Sequence, residues 1–100
     1  RSSDVFLGLP FNIASTALLV HLIAHQVDRE PGILIIRIGD THIYEEHIEA
    51  CRLQCRSDVC SLPTITIERP KDDDLWHVER KQVQLHNYTP SGSIKAKMKA

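Results

Sequence analysis

The stretch RSSDVFLGLPFNIAS, residues 1–15, places an arginine, two hydroxyls and a carboxylate directly before a Gly-Leu-Pro step and an apolar run. Val5, Phe6 and Leu7 are β-prone, so residues 1–7 read as the end of a strand. Gly8 and Pro10 punctuate the chain. From Phe11 to about Val27 apolar residues fall on nearly every side of a helical projection, which predicts a buried helix. A polar cluster at the mouth of such a helix has the makeup of half a binding site.

Beyond the helix, Pro31-Gly32 makes a turn, and Ile33 to Ile38 reads as a strand, buried on both faces at its start. Residues 39–44 continue extended, with Thr41, Ile43 and Glu45 facing one way and Asp40, His42 and Tyr44 the other. Glu45 to Ser57 predicts a helix with Ile48, Cys51, Leu53 and Cys55 partly buried. Pro63 to Glu68 alternates as a half-buried strand. Residues 70–74 (PKDDD) form an exposed acidic loop. Residues 76–88 predict a short helix or turn and then a strand over Gln82–His86, and residues 93–100 form a tail. Mixed helices and strands without repeats predict one domain of α+β class, a mixed β-sheet packed against helices.

Composition narrows the function. The chain of 100 residues is 42% hydrophobic and 25% charged with net charge −1, a globular composition with no basic surplus for nucleic acid. The apolar run Ile13–Ala24 is too short for a bilayer and is interrupted by Ser15, Thr16 and His21. No secretory leader is visible, and the missing initiator Met points to a fragment or a processed chain. Three cysteines, Cys51, Cys55 and Cys60, predict free thiols in a reducing compartment, and so a cytoplasmic location.

Several constellations carry chemistry. Arg1, Ser2 and Asp4 are either a solvated chain start or an anion site, where a guanidinium fork binds phosphate and a hydroxyl adds a donor. Asn12 is either a helix N-cap or a carboxamide facing a ligand. A carboxamide accepts through C=O and donates through NH2, which complements the N–H and C=O of a uracil edge; cytosine has the opposite order and favours a protonated carboxylate. Asp40, His42 and Tyr44 are either an exposed strand end or a polar face completed by a ligand hydroxyl. His47, Cys51 and Cys55 lie on one helical stripe, a poor cage for a metal, so no metal is expected. His21 and His25 lack the intervening glutamate of a zinc protease and read as core or interface residues.

Four segments together resemble the thymidylate synthase family. RSSDVFLGLPFNIAS is similar to its R-S-x-D-x-x-L-G-x-P-F-N-I-A-S signature, and GDTHIYEEH (39–47) to its G-D-x-H-x-Y-x-x-H segment. PTITIER (63–69) resembles a late strand and YTPSGSIKAKMKA (88–100) the closing tail. The resemblance runs through the whole chain in order. It implies the C-terminal portion of one catalytic domain, residues 1–100, incomplete at the N-terminus.

The resemblance also implies roles. Arg1 and Ser2 would hold the phosphate of dUMP, Asn12 the uracil edge, and His42 and Tyr44 the deoxyribose hydroxyl. Asp4 would contact substrate and the pterin of methylenetetrahydrofolate, making Asp4 and Asn12 the catalytic candidates. Leu7, Gly8 and Phe11 would line the folate side, with Ala100 folding over it and Asp40 supporting the strand nearby. The implied activity is reductive methylation of dUMP to dTMP in a homodimer. It needs a nucleophilic cysteine that the family places upstream of Arg1, so the 100-residue chain alone is expected to be inactive. Ser91-Gly92 replaces the usual His-Pro, and Lys97 and Lys99 make the tail more basic. A dUMP or dCMP hydroxymethylase of the same fold, or a non-catalytic nucleotide-binding or dimerising piece, are the alternatives.

Overall fold

The computed structural model describes residues 2–98. Its internal contacts gather into two units, Arg1–Thr16 with Ile35–Val59 and Pro90–Ala100, and Ala17–Leu34 with Cys60–Thr89. The class is α+β, built from helices and two small two-stranded sheets.

In the first unit, β1 (Ser3–Asp4) pairs in parallel with β2 (Thr41–His42), Ser3 opposite Thr41 and Asp4 opposite His42. Ser3 N–H donates to the Asp40 carbonyl at 2.9 Å and Val5 N–H to that of His42 at 3.0 Å. The strand predicted through Leu7 ends at Asp4. The Asp4 carboxylate accepts from Phe6 N–H at 3.1 Å, and the Asp4 carbonyl accepts from Gly8 N–H at 3.2 Å. A short carboxylate thus offers the backbone a turn in place of a ladder. Gly8 belongs here because a Cβ at this position would lie 3.1 Å from the Asp4 carbonyl oxygen.

The turn feeds α1 (Leu9–Gln26). Pro10 lies in the first helical turn, where its missing N–H costs nothing. The helix is apolar all round, as the sequence indicates, but it is not buried: Ala24 is its one buried residue and Phe11 is 76% exposed. Enclosing such a helix takes apolar neighbours on every side, more surface than these residues supply. The expected strand over residues 33–38 also does not form; Ile33 is 92% and Ile35 72% exposed. β-branched residues favour extended backbone, yet a strand exists only where a neighbour accepts its hydrogen bonds, and none lies beside this segment among the described residues.

After β2 a 3-10 turn, Glu45–His47, leads into α2 (Ile48–Arg56). No residue of α2 is buried, and Cys55, expected to be partly covered, is exposed.

In the second unit, α1 ends in a Schellman motif. Asp28 adopts φ 52°, Arg29 N–H reaches the Ala24 carbonyl at 2.8 Å, and Asp28 N–H reaches that of His25 at 3.4 Å. The Arg69 guanidinium caps the same end, donating to the His25 carbonyl at 3.0 Å and pairing with Asp28 and Asp73. β3 (Thr64–Ile67) pairs antiparallel with β4 (Val83–His86), Thr64 opposite His86 and Ile67 opposite Val83. Its threonines face out and its isoleucines are half-buried, the alternation read in the sequence. Between these strands lie the acidic loop and 3-10 turns at Leu75–His77 and Arg80–Gln82.

The acidic loop carries a pH-sensitive contact. A hydrogen bond from His77 holds the Asp72 carboxyl below its ordinary range, and the same bond raises the imidazole above its ordinary 6.5. The raised imidazole stabilises the fold below pH 6.5, and that contribution disappears as pH rises through its folded value. The depressed carboxyl stabilises above pH 3.8 and is lost as pH falls through its folded value. Both groups are exposed, so the effect is small. Melting temperatures at pH 5.5 and 8.5 should therefore fall further for the native protein than for His77→Gln; equal falls would remove the pair from the account.

Candidate functional site

A cavity of about 460 Å³ opens where β1, the turn after it and the start of α1 meet residues 36–39. Ser2, Ser3, Asp4, Gly8, Leu9, Asn12, Ile36, Arg37, Ile38 and Gly39 line it. The hydroxyl of Ser3 is buried without a hydrogen-bond partner among the described residues. A buried donor left unmatched is unfavourable unless something else engages it.

Asn12 decides between its two readings. It is the fourth residue of α1, and its backbone N–H donates to the Gly8 carbonyl at 3.1 Å, so it is no N-cap. Its carbonyl accepts from the hydroxyls of Ser15 and Thr16, at 3.2 and 2.7 Å. Its carboxamide makes no hydrogen bond among the described residues and lies on the cavity wall. The side chain is therefore available to a ligand with both donor and acceptor intact.

With that geometry in view, the comparisons become decisive. The family model described as thymidylate synthase matches residues 1–100. This chain belongs to the thymidylate synthase family. A solved structure, the thermostable thymidylate synthase A from Bacillus subtilis, is similar at 30% identity and a TM-score of 0.88. The match covers 98% of this chain and 35% of the Bacillus chain. The chain therefore spans about a third of that relative's length.

The structure brings Ser2, Asp4, Gly8 and Asn12 to one cavity. His42 and Tyr44 do not line it. His42 ends β2, where it stands opposite Asp4 across the ladder, and Tyr44 lies beyond the strand, which stops short of the extended run expected through residue 44, at the start of the 3-10 turn. The His42 and Tyr44 rings meet edge to face with centroids 5.1 Å apart, and His42 Nδ1 lies 3.9 Å from Asp40. Leu7 lies in the turn before α1, and Phe11 projects from the first turns of that helix; neither is part of the lining. Arg1 and Ala100 lie outside the described residues.

Sequence reasoning missed Ser3, Arg37 and His47. Ser3 and Arg37 reach the wall through the parallel pairing of β1 with the segment around Asp40, a long-range pairing that local pattern does not announce. His47, read as one of three residues on a helical stripe with Cys51 and Cys55, leaves that stripe. It ends the 3-10 turn and is fully buried. Among the described residues no group of three His, Cys, Asp or Glu side chains is placed to hold a metal. The thiols of Cys51 and Cys55 instead border a separate, largely apolar cleft of about 480 Å³ with Ile43, Ile48, Arg52 and Arg56. Among the described residues none of the three cysteines forms a disulfide. In the second unit His21 and His25 line a small cavity of about 150 Å³ beside Ile65 and Ile67. Among the described residues no helix is long and apolar enough to cross a membrane.

Proposed function

We propose that residues 1–100 are the C-terminal portion of a single catalytic domain that methylates dUMP to dTMP reductively, working as a cytoplasmic homodimer. The observation that carries this reading is the Asn12 carboxamide, unengaged among the described residues, at a cavity it shares with Ser2 and Asp4. Asn12 accepts from the uracil N3–H and donates to the O4 carbonyl. When a thiolate adds to carbon six of the ring, negative charge develops on O4, and the Asn12 NH2 is already aimed at it. The same bond thus serves binding and the rise to the transition state.

Arg1 and Ser2 take the phosphate, with charge and a hydroxyl donor. His42 and Tyr44, whose rings touch edge to face, take the deoxyribose hydroxyl. Asp4 lies between base and pterin, able to order water or move a proton. Leu7, Gly8 and Phe11 offer apolar surface to the folate, which the exposed ring of Phe11 suits, and Ala100 closes over it. Methylenetetrahydrofolate supplies one carbon and a hydride. The nucleophilic thiolate comes from a cysteine preceding Arg1 in the family pattern; Cys51, Cys55 and Cys60 hold no corresponding position.

A second reading, hydroxymethylation of dUMP or dCMP, draws on Gly92. It adopts φ 110°, whereas a proline at this place would be fixed near about −65°. The tail therefore leaves Pro90 along another path, and a less complete closure admits water to the intermediate. Turnover of the intact protein with dUMP and methylenetetrahydrofolate separates the two. Methylation releases dihydrofolate, seen by its ultraviolet absorption, with dTMP in equal amount; hydroxymethylation releases none. A protein that forms neither product while binding dUMP would be a nucleotide-binding module instead.

A further inference from the structure

The fully buried His47 connects three parts of the first unit. Its ring lies between Phe6 and Tyr44, with centroids 5.6 and 5.5 Å away. Its Nε2 is 2.8 Å from the carbonyl of Lys97. A carbonyl only accepts, so Nε2 carries the proton and donates to the tail. Its Nδ1 is buried without a hydrogen bond among the described residues and lies 3.8 Å from the Asp4 carboxylate. The nearer Asp4 atom, Oδ1, also accepts from Phe6 N–H, and Asp4 lines the cavity.

We infer that His47 is a positioning residue that fastens the backbone of the C-terminal segment at Lys97. Nε2 anchors the tail, and the flanking rings of Phe6 and Tyr44 hold the imidazole in place. The inference rests on the uracil-nucleotide reading for its kinetic arm alone; the anchoring itself does not.

Two substitutions divide the ring. His47→Gln places an amide near the position of Nε2 and keeps a donor for Lys97. His47→Asn reaches the position of Nδ1 and leaves the Lys97 carbonyl unmatched. In the intact protein, His47→Asn should speed tryptic cleavage after Lys95 and Lys97 about tenfold, the loss of one buried hydrogen bond, and His47→Gln should stay within about twofold. His47→Asn should also raise KM for methylenetetrahydrofolate about tenfold with Kd for dUMP changed less than about twofold. Equal cleavage in the two variants, or loss of dUMP affinity matching the loss for folate, would overturn the assignment to the tail. Nitrogen-15 spectra of the native protein test it without any substitution: a proton on His47 Nε2 supports the anchor and a bare Nε2 refutes it. If the native protein binds no dUMP, the functional reading fails, and cleavage and spectra still decide the role of His47.

Discussion

Replacing Asn12 by aspartate is expected to lower kcat/KM for dUMP by about 10³-fold while dCMP becomes the better substrate. Sites built around matched donors and acceptors reject a mismatched ligand by such factors, because buried polar groups are left unpaired. Asn12 offers one acceptor and one donor from a helix whose backbone fixes its position, and among the described residues no neighbour competes for either. An ionised carboxylate there would face the uracil O4 with charge of the same sign. A protonated one reverses the order, donating to N3 of cytosine and accepting from its amino group. The preference for dCMP should grow as pH falls, since the protonated form is the one that fits. Steady-state kinetics with both nucleotides check this. Retention of dUMP activity within a few-fold would mean that Asn12 does not read the base.

Asp4→Ala should have the second large effect, on two observables at once. The carboxylate caps Phe6 N–H and lies beside His47, so its removal leaves a part-buried donor unmatched and destabilises by about 1 kcal/mol. It also removes the carboxylate from the cavity wall, and kcat should fall by about 10²- to 10⁴-fold, the range for a positioned proton-transfer group. Asp4→Asn separates the two. Its amide oxygen can still accept from Phe6 N–H, so the melting temperature should stay near that of the native protein. The charge is gone, so the loss of kcat should persist. If Asp4→Asn melts normally and turns over normally, Asp4 is a turn-former and nothing more.

How much of this was legible in the sequence depends on how local the signals were. The bounds of α1 follow from Gly8 and Pro10 before it and Pro31-Gly32 after it, and the β3–β4 pair follows from strict alternation at 64–67. Both are set within a few residues. Ile33 to Ile38 misled because β-branched residues state a preference for extended backbone but not the presence of a neighbouring strand. Phe11 and its helix misled in the same way: an apolar surface on all sides predicts a buried helix, while what buries it is decided by residues elsewhere.

The candidate site divides along the same line. Ser2, Asp4, Gly8 and Asn12 were legible because one turn and one helix start bring them together. His47 was not. A spacing of four to Cys51 suggested one helical stripe, yet the 3-10 turn at Glu45–His47 rotates the imidazole inward before α2 begins. Its neighbours Phe6 and Lys97 come from opposite ends of the sequence, and no local pattern could announce either.

The most direct test of the account is a crystal structure of the intact protein with dUMP. The account predicts the nucleotide in the cavity between β1 and α1, its imide edge on the Asn12 carboxamide, its phosphate at Ser2 and its sugar hydroxyl toward His42 and Tyr44. A nucleotide bound elsewhere, or with its base turned away from Asn12, would contradict it.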